Sequence, residues 1–344
     1  MEDVARLAGV SHQTVSRVLN AYPYVSLRTR KRVEKAIAEL GYRRNTAARS
    51  LVTRRSQTIG VLSSGMSEYG PANTLLGIQQ AARSEGYSVS MASLDEVTPA
   101  AIADALEYFM MQAVDGIIVI VPHEMMSESL RTVELSVPLA VVGSCEDERF
   151  SGVAVNQWMG ARLAVQHLVE LGHTAIAHLS GPPGWIDAAA RIDGWRYALA
   201  RAGLPDSALV QGDWSAESGY RAGLKLAACR NVTALFAAND QMALGALRAF
   251  SEAGLRVPSD ISVVGYDDQP EAAYLIPPLT TISQGFKELG ARCLQMLLAD
   301  MTNGHSSGDL TVNPWLIARS STTRPSTSAK VQHICQGAGQ PLCG

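Results

Sequence analysis

The hydrophobic positions follow two different patterns along the chain. In residues 3–20 they recur every three or four positions, which is typical of short amphipathic helices. Beyond residue 57 they gather in short β-branched runs, separated by segments long enough to form a helix. Such runs predict an α/β fold whose parallel sheets are covered by helices on both faces. The predicted strands are 59–62, 116–121, 139–142, 153–155, 175–179, 234–237 and 261–264.

The segment 3–20 predicts two short helices joined by a tight turn at Gly9. Ser11 is a good N-cap for the second helix, because its hydroxyl can accept a hydrogen bond from a free backbone N–H. The predicted core of this pair is Val4, Leu7, Ala8, Val15, Val18 and Leu19. Four polar side chains remain on the outer face: His12, Gln13, Ser16 and Arg17. This is the layout of a helix-turn-helix, whose second helix presents its first turns to base edges in the major groove.

A third helix is predicted to begin after Ser26 and to end at Gly41, with Val33, Ile37 and Leu40 as its apolar stripe. Basic residues cluster near its start and suit contacts with phosphates better than base reading. They are Arg28, Arg30, Lys31 and Arg32.

The charges are distributed unevenly between this segment and the rest of the chain. Residues 1–56 contain twelve Lys and Arg against four Asp and Glu, a net charge of +8, while the remainder contains 17 against 28, a net charge of −11. A basic segment on an acidic body is typical of nucleic-acid binders, because clustered cations displace the counterions of DNA. A solvated basic surface is the alternative, and charge alone leaves both interpretations open.

Polar residues follow the predicted strands of the body. In parallel α/β sheets, ligands bind beyond the carboxyl ends of the strands, so these positions indicate a ligand site. Their amides and carboxylates suit a ligand rich in hydroxyl groups, and nothing among them resembles a metal cluster or a nucleophile with its base. The positions are 63–64, Gly143, Asn156, 239–240 and 267–268.

The bulk properties narrow the class of protein. A chain of 344 residues with 47% hydrophobic and 18% charged residues can form several well-packed globular domains. No apolar run approaches the roughly 18 residues of a membrane span, and the start of the chain does not resemble a signal peptide. The five cysteines form no CxxC pair of a metal or redox site. A cytoplasmic location without membrane association is expected.

The N-terminal motifs resemble the DNA-binding head of the lac repressor family. They are the stretches 3–5, 8–11, 13–18 and 25–26. The resemblance implies that His12, Gln13 and Arg17 read bases, with Ser16 beside them. Glutamine can pair with adenine, and arginine with guanine, through two hydrogen bonds each.

The same resemblance implies a hinge that becomes helical on the operator and inserts a leucine into the minor groove. Leu51 is the matching leucine, and such an apolar wedge can unstack a base step and bend the DNA. Arg49 would lie in the narrowed groove. Arg44 stands where the family often has proline. The hinge residues assigned to DNA binding are Asn45, Ala48, Arg49 and Leu51.

The body resembles the same family over the long blocks 212–216, 238–246, 260–268 and 276–282. The resemblance runs from residue 3 to about 324 and implies a periplasmic-binding-protein-like core of two subdomains. It implies a head at 1–44, a hinge and linker at 45–56, a core at 57–325 and a tail, expected to be disordered, at 326–344. The expected N-subdomain is 57–155 with 284–312, and the C-subdomain is 156–283 with 313–325.

The resemblance places the effector pocket at Ser64, Pro71, Asp187, Arg191, Trp214, Asn239, Asp267, Gln284 and Phe286. Arg191 and Asp267 can bind neighbouring hydroxyls by charge-assisted hydrogen bonds, and Trp214 offers an apolar face to a sugar ring. Gly143 stands where an aspartate is expected, while Asp187 adds a carboxylate near Arg191. A sugar or glycoside is therefore expected, and a galactoside is not required.

These implications together predict a repressor of a sugar-utilisation operon. It would bind a palindromic, double-stranded operator as a homodimer and leave it when a sugar inducer binds, without a cofactor or metal. The tail lacks leucine heptads, so a dimer rather than a tetramer is expected. A transport-system sugar-binding protein would have a signal peptide and no basic head. A sugar-handling enzyme would use paired carboxylates, for which only Asp267 and Asp268 are candidates.

Overall fold

The computed structural model describes residues 1–19, 22–42, 55–143, 147, 149–206, 208–229, 231–304 and 309–326. The chain forms two compact units, residues 1–56 and residues 57–344. The hinge residues Asn45, Ala48, Arg49 and Leu51 and the tail beyond 326 lie outside the described residues.

The first unit contains three helices: α1 (Glu2–Ala8), α2 (His12–Leu19) and α3 (Leu27–Glu39). Gly9 ends α1 with a φ of 59°, a left-handed conformation that favours glycine. The Ser11 hydroxyl accepts a hydrogen bond from Thr14 N at 3.2 Å, and Ser26 caps α3 in the same way through Thr29 N. These local bonds fix where α2 and α3 begin.

The core of this unit differs from the predicted one at two positions. Val4, Val15 and Val33 are fully buried at its centre. Leu7, predicted to be buried, is about half exposed, and so is Leu40 at the end of α3. The smaller residues Ala5, Ala8 and Ala36 are buried in this core instead, and their size lets the three helices approach closely.

The second unit begins with a lobe built from β1 (Thr58–Ser64), α4 (Tyr69–Ser84), β2 (Ser88–Leu94), α5 (Pro99–Met111), β3 (Gly116–Ile120), α6 (Glu124–Leu130), β4 (Leu139–Val142) and β5 (Ser151–Val155). We call it the first lobe.

A second lobe follows, with α7 (Gln157–Glu170), β6 (Ile176–Ser180), α8 (Ile186–Arg201), β7 (Leu209–Gln211), α9 (Ala216–Ala228), β8 (Ala234–Ala237), α10 (Asp240–Glu252), β9 (Ser262–Val264), a 3-10 helix (Pro270–Tyr274) and β10 (Thr281–Ser283). The chain then returns to the first lobe for α11 (Phe286–Asn303) and β11 (Asp309–Val312), and ends in β12 (Trp315–Ile317).

Each lobe has one parallel sheet between two layers of helices. The strand order is β11-β5-β4-β3-β1-β2 in the first lobe and β7-β6-β8-β9 in the second. Buried aliphatic clusters cover both faces of each sheet. The predicted α/β class with parallel sheets is therefore confirmed. A small antiparallel pair, β10 with β12, joins two of the segments that run between the lobes.

Among the described residues, none of the helices has both the length and the apolar character that crossing a bilayer requires.

Candidate functional site: an inter-lobe cavity and a polar helix face

A cavity lies between the two lobes, at the carboxyl ends of their strands. Residues of both lobes line it. Eight of the nine predicted effector residues line it: Pro71, Asp187, Arg191, Trp214, Asn239, Asp267, Gln284 and Phe286.

Ser64, the ninth predicted residue, is not among the residues that line this cavity. Its side chain is buried at the end of β1, where its Oγ has no hydrogen-bond partner among the described residues. The wall next to it is formed by Trp185, whose ring packs against Gly65. Trp185 thus lies close to the residue that follows β1.

Arg191 is the buried cation of the cavity, with 4% of its surface exposed. Position 191 faces inward because α8 packs its Arg191 side against the sheet of the second lobe. The guanidinium donates to the carbonyl oxygen of Ala238 and lies 3.9 Å from the centre of the Tyr266 ring. It also pairs with Asp187 one helical turn earlier, at 3.6 Å. These contacts hold the charge at a fixed position.

Gln157 connects the polar residues of the cavity and was missed in the sequence. Its Nε2 donates to Asp187 at 2.9 Å and to the Oε1 of Gln284 at 2.8 Å, while its Oε1 accepts from Arg191 Nε at 3.0 Å. Gln284 in turn donates to Asp267. The signal was present, since Gln157 directly follows Asn156, one of the polar positions after a predicted strand.

Asp267 lies three residues beyond the end of β9. Its backbone has a φ of 106°, which an aspartate seldom adopts. Burial raises the pKa of its carboxyl to about 7, and the positive charge of Arg191 opposes that shift. Asp268, next to it, points elsewhere and forms a 2.7 Å ion pair with Arg319. The two carboxylates therefore do not form the acid–base pair of a glycosidase.

Asp240 lies behind the cavity and ties three segments together. One carboxylate oxygen accepts from Gln269 N at 2.8 Å and the other from the Thr281 hydroxyl at 2.7 Å. Burial, with the nearby charge of Asp267 as the second cause, raises the pKa of Asp240 to about 8. This residue shapes the site without lining it.

Asn239 has a structural task as well as a place in the cavity. Its Oδ1 accepts from Met242 N at 2.8 Å and so caps α10, and its Nδ2 donates to the carbonyl oxygen of Trp214 at 3.0 Å. The Trp214 backbone has a φ of 72°, and its buried Nε1 has no partner among the described residues. Asn239 thus holds in place the loop that presents the Trp214 ring.

Apolar rings line the side of the cavity that belongs to the first lobe. Phe286, the first residue of α11, meets Tyr69 edge to face with ring centres 5.7 Å apart. Pro71 lies in the first turn of α4 beside them. Glu68 precedes them as the N-cap residue of α4, although its side chain makes no capping hydrogen bond. Neither Tyr69 nor Glu68 was predicted from the sequence.

A polar helix face is presented by the first unit. His12, Gln13 and Arg17 of α2 are exposed, and Ser16 is partly buried between them. The guanidinium of Arg17 lies 5.8 Å from the centre of the Tyr22 ring, so an aromatic side chain helps to position it. These side chains share one surface, as base reading requires.

Arg32, predicted to contact phosphate, has a different partner. It donates to the carbonyl oxygens of Ala8 and Gly9 and so satisfies the free end of α1. Arg30 donates to the carbonyl oxygen of Tyr22 at 3.1 Å. These two arginines therefore tie the three helices together.

An α-helical unit with a polar helix face, followed by a two-lobed α/β unit with a polar cavity between its lobes, defines a ligand-responsive DNA-binding regulator. Residues 1–45 match the model of bacterial regulatory proteins of the lacI family, and residues 165–322 match the periplasmic binding protein-like domain. The chain belongs to the lacI family of bacterial regulatory proteins.

Two curated relatives and two solved structures illustrate this membership. The lactose operon repressor of Escherichia coli (strain K12) is 38% identical over 94% of this chain and 91% of its own length. The HTH-type transcriptional regulator CelR of Thermobifida fusca is 37% identical over 89% of this chain and 93% of its own length.

Among solved structures, the lac repressor dimer bound to operator and the anti-inducer ONPF has a TM-score of 0.84 at 38% identity, covering 93% of this chain and 98% of that one. The CelR–cellobiose complex has a TM-score of 0.70 at 32% identity, with the same coverage of both chains.

Proposed function

We propose that the protein represses transcription by binding a palindromic operator as a dimer, and that a neutral sugar or glycoside in the inter-lobe cavity releases it. The observation that carries this proposal is the hydrogen-bonded network of Arg191, Gln157, Gln284 and Asp267, placed in a cavity between two lobes. The action takes place in the cytoplasm, where operator DNA is available.

The chemistry of the cavity supports a neutral polyhydroxylated ligand. Among the described residues that line it, the charged ones are Glu68, Asp187, Asp267 and Arg191. Three carboxyl groups against one guanidinium leave little positive charge to compensate a uronate or a sugar phosphate, whereas carboxyl and amide groups form hydrogen bonds with hydroxyls. Arg191 is also already engaged by Gln157 and Ala238. It is better placed to bind one hydroxyl than to neutralise an anion.

DNA binding is assigned to the first unit. His12, Gln13 and Arg17, with Ser16, would read base edges in the major groove. The hinge residues Asn45, Ala48, Arg49 and Leu51, which lie outside the described residues, would contact the minor groove. Two copies of the head, held by a dimer of the second unit, would match the two halves of a palindrome.

Release follows from the position of the cavity. A ligand that contacts both lobes favours one angle between them, and the operator-bound dimer favours one angle as well, so the two equilibria are coupled. Coupling of this kind is usually about 1–3 kcal/mol, which changes operator affinity by a factor between several and about a hundred. The lobe angle is thus the element that both ligands bias.

The test is a titration of a fluorescent palindromic operator at fixed salt, with neutral sugars, glycosides, uronates and sugar phosphates added in turn. We expect one or more neutral compounds to lower operator affinity and the anionic compounds to have no effect. Arg191→Ala should abolish the response. Specific operator binding that no sugar alters would contradict the ligand class, and absence of specific DNA binding would contradict the regulator itself.

A head variant separates the two functions. Gln13→Ala should weaken binding to the cognate operator by roughly 1–3 kcal/mol and relax base preference at one position. Sugar affinity, measured by calorimetry, should stay as in the original protein. Arg32→Lys is a useful comparison, because we expect it to act on the stability of the head instead.

A further inference from the structure

Trp185 lines the cavity but takes no part in the hydrogen-bonded network of Arg191, Gln157, Gln284 and Asp267. It is the N-cap residue of α8 and is partly buried. Its ring meets that of Trp214 at 5.4 Å and an angle of 73°, and that of His123 at 4.5 Å and 60°. Trp185 therefore stands where the two lobes meet along the cavity.

The backbone around Trp185 is fixed from the opposite lobe. Ile186 N donates to the carbonyl oxygen of Pro122, and Glu124 N donates to that of Gly184, both at 3.1 Å. His123 and Trp185 face each other as an isolated antiparallel bridge. A ring held by its own backbone loses little conformational freedom when a ligand stacks on it, which favours binding.

The Trp214 ring contacts both Arg191 and Trp185. The guanidinium of Arg191 is 5.6 Å from the centre of the Trp214 ring, and Trp214 in turn is 5.4 Å from Trp185. No hydrogen bond between described residues uses the indole N–H of Trp185. A single sugar ring held by Arg191 and Asp267 against Trp214 would thus leave the Trp185 ring available.

Glu68 supplies a polar group beside this ring. A Cβ added to Gly65 would lie 2.9 Å from the Trp185 ring and 3.8 Å from Cγ of Glu68, so both side chains lie close to this glycine. The Glu68 carboxylate accepts only from the Ser67 hydroxyl, at 3.3 Å, among the described residues. Partial burial of the Glu68 carboxyl raises its pKa.

We propose that Trp185 and Glu68 form a second sugar-ring subsite, so that the effector is a neutral disaccharide. The first ring is held by the network of Arg191, Asp267 and Gln284, and the second stacks its C–H face on Trp185. Its hydroxyls donate to Glu68, a contact that an apolar aglycone could not make. This inference rests on the proposed function, since it extends the same cavity.

The experiment compares two-ring and one-ring ligands by calorimetry on the full-length protein. The probes are cellobiose, lactose, maltose and melibiose, each paired with the methyl glycoside of its non-reducing ring. We expect at least one disaccharide to bind more tightly than its methyl glycoside. Trp185→Ala should lower the ratio of the two affinities about tenfold or more, Glu68→Ala should lower it about threefold, and Trp185→Phe should keep part of it.

Trp158→Ala is the matched control. Trp158 is also a partly buried tryptophan of the second lobe, but it stacks on Tyr197 and lies outside the cavity lining. Its removal should leave the affinity ratio unchanged, and thermal unfolding of all variants verifies that they are folded.

Two results would overturn the subsite while leaving the proposed function intact. One is a methyl glycoside that binds as tightly as every disaccharide. The other is an equal loss of both affinities in Trp185→Ala, which would assign this residue only to the junction between the lobes. Absence of binding by any neutral sugar to the unaltered protein would instead overturn the proposed function, and the subsite with it.

Discussion

The two walls of the cavity are built from different kinds of side chain. The second lobe supplies Arg191, Gln157 and Asp267, which are linked through Gln284 by hydrogen bonds. The first lobe supplies mainly apolar groups, among them Phe286, with Glu68 as its charged residue.

This difference between the walls indicates which of them selects the ligand. A network of buried polar groups discriminates strongly, because a ligand that leaves one of them unpaired loses the full hydrogen bond and leaves a desolvated group. An apolar wall contributes binding free energy only in proportion to the apolar area that the ligand buries on it. We therefore expect the second lobe to read the hydroxyl pattern and the first lobe to tolerate variation.

The largest effect is expected from Arg191→Ala. It removes the cation on which Gln157 and Asp187 depend and should weaken sugar affinity by about 3 kcal/mol, or more than a hundredfold. Calorimetry with the sugar that releases operator measures this loss. Arg196→Ala is the control, since Arg196 lies on the same helix but forms an exposed pair with Asp206. If both variants bound sugar equally well, the polar wall would not be the selective one.

The second largest effect is expected on the pH dependence of stability. It arises from buried carboxyl groups of the second lobe. The pKa of Asp240 is about 8 in the folded protein against 3.8 ordinarily, so at pH 6–8 the folded state holds a proton that the unfolded chain has lost. Stability should then fall as pH rises through this range, by about 1 kcal/mol per pH unit. Asp267, with a pKa of about 7, contributes in the same direction.

Urea unfolding at pH 6 and pH 8 tests this expectation. Asp240→Asn should flatten the dependence, because the amide has no titrating proton: its oxygen can still accept from Gln269 N, and its NH2 group can donate to the Thr281 hydroxyl oxygen. Asp260→Asn should not, since its exposed ion pair with Arg256 holds the pKa of Asp260 at about 2, far below the range. If Asp240→Asn left the change of the unfolding free energy with pH unaltered, the buried carboxyl groups would not be the origin of the pH dependence.

A smaller effect is expected from Gln157→Ala. The substitution leaves Arg191 in place but removes the group that connects it to Gln284, and we expect sugar affinity to fall about tenfold, close to 1.4 kcal/mol. Gln166→Ala on the same helix is the control, because Gln166 makes an exposed bond to Glu170. An unchanged affinity would mean that the network orients no ligand-binding group.

The smallest effect is expected on the apolar wall. Phe286→Leu keeps an apolar side chain in place and should change the affinity for a methyl glycoside by less than 1 kcal/mol, about threefold. Phe150→Leu, at a partly buried position of the first lobe outside the cavity, is the comparison. A loss as large as that of Arg191→Ala would contradict the assignment of selectivity to the second lobe.

The sequence predicted those parts of the fold that produce strong local patterns. All seven predicted runs are strands, since continuous β-branched runs occur where a strand is buried on both faces. The edge strand Ser88–Leu94 was missed, because it is only partly buried and alternates small polar residues with apolar ones. The antiparallel pair β10–β12 is too short, at three residues each, to give a pattern.

The site was predictable only in part, for a related reason. Position-by-position resemblance named eight of the residues that line the cavity, among them Arg191 and Asp267. Gln157 and Trp185 were missed because their roles depend on long-range contacts: Gln157 meets Gln284 across 127 positions, and Trp185 meets His123 across the boundary of two lobes. Ser64 is not among the lining residues, and its side chain is buried at the end of β1. The position of Gln157 directly after Asn156 was a local signal, whereas the sequence around Trp185 gives none.

Gly143 has a consequence for how the specificity of this protein could be redesigned or could evolve. Its backbone has a φ of 119°, and an added Cβ would lie 2.7 Å from the carbonyl oxygen of Val121. An aspartate at this position would therefore need a different path of the main chain. Position 187 already bears a carboxylate on the opposite wall, so a new preference for hydroxyl groups is more readily acquired there than by substitution at 143.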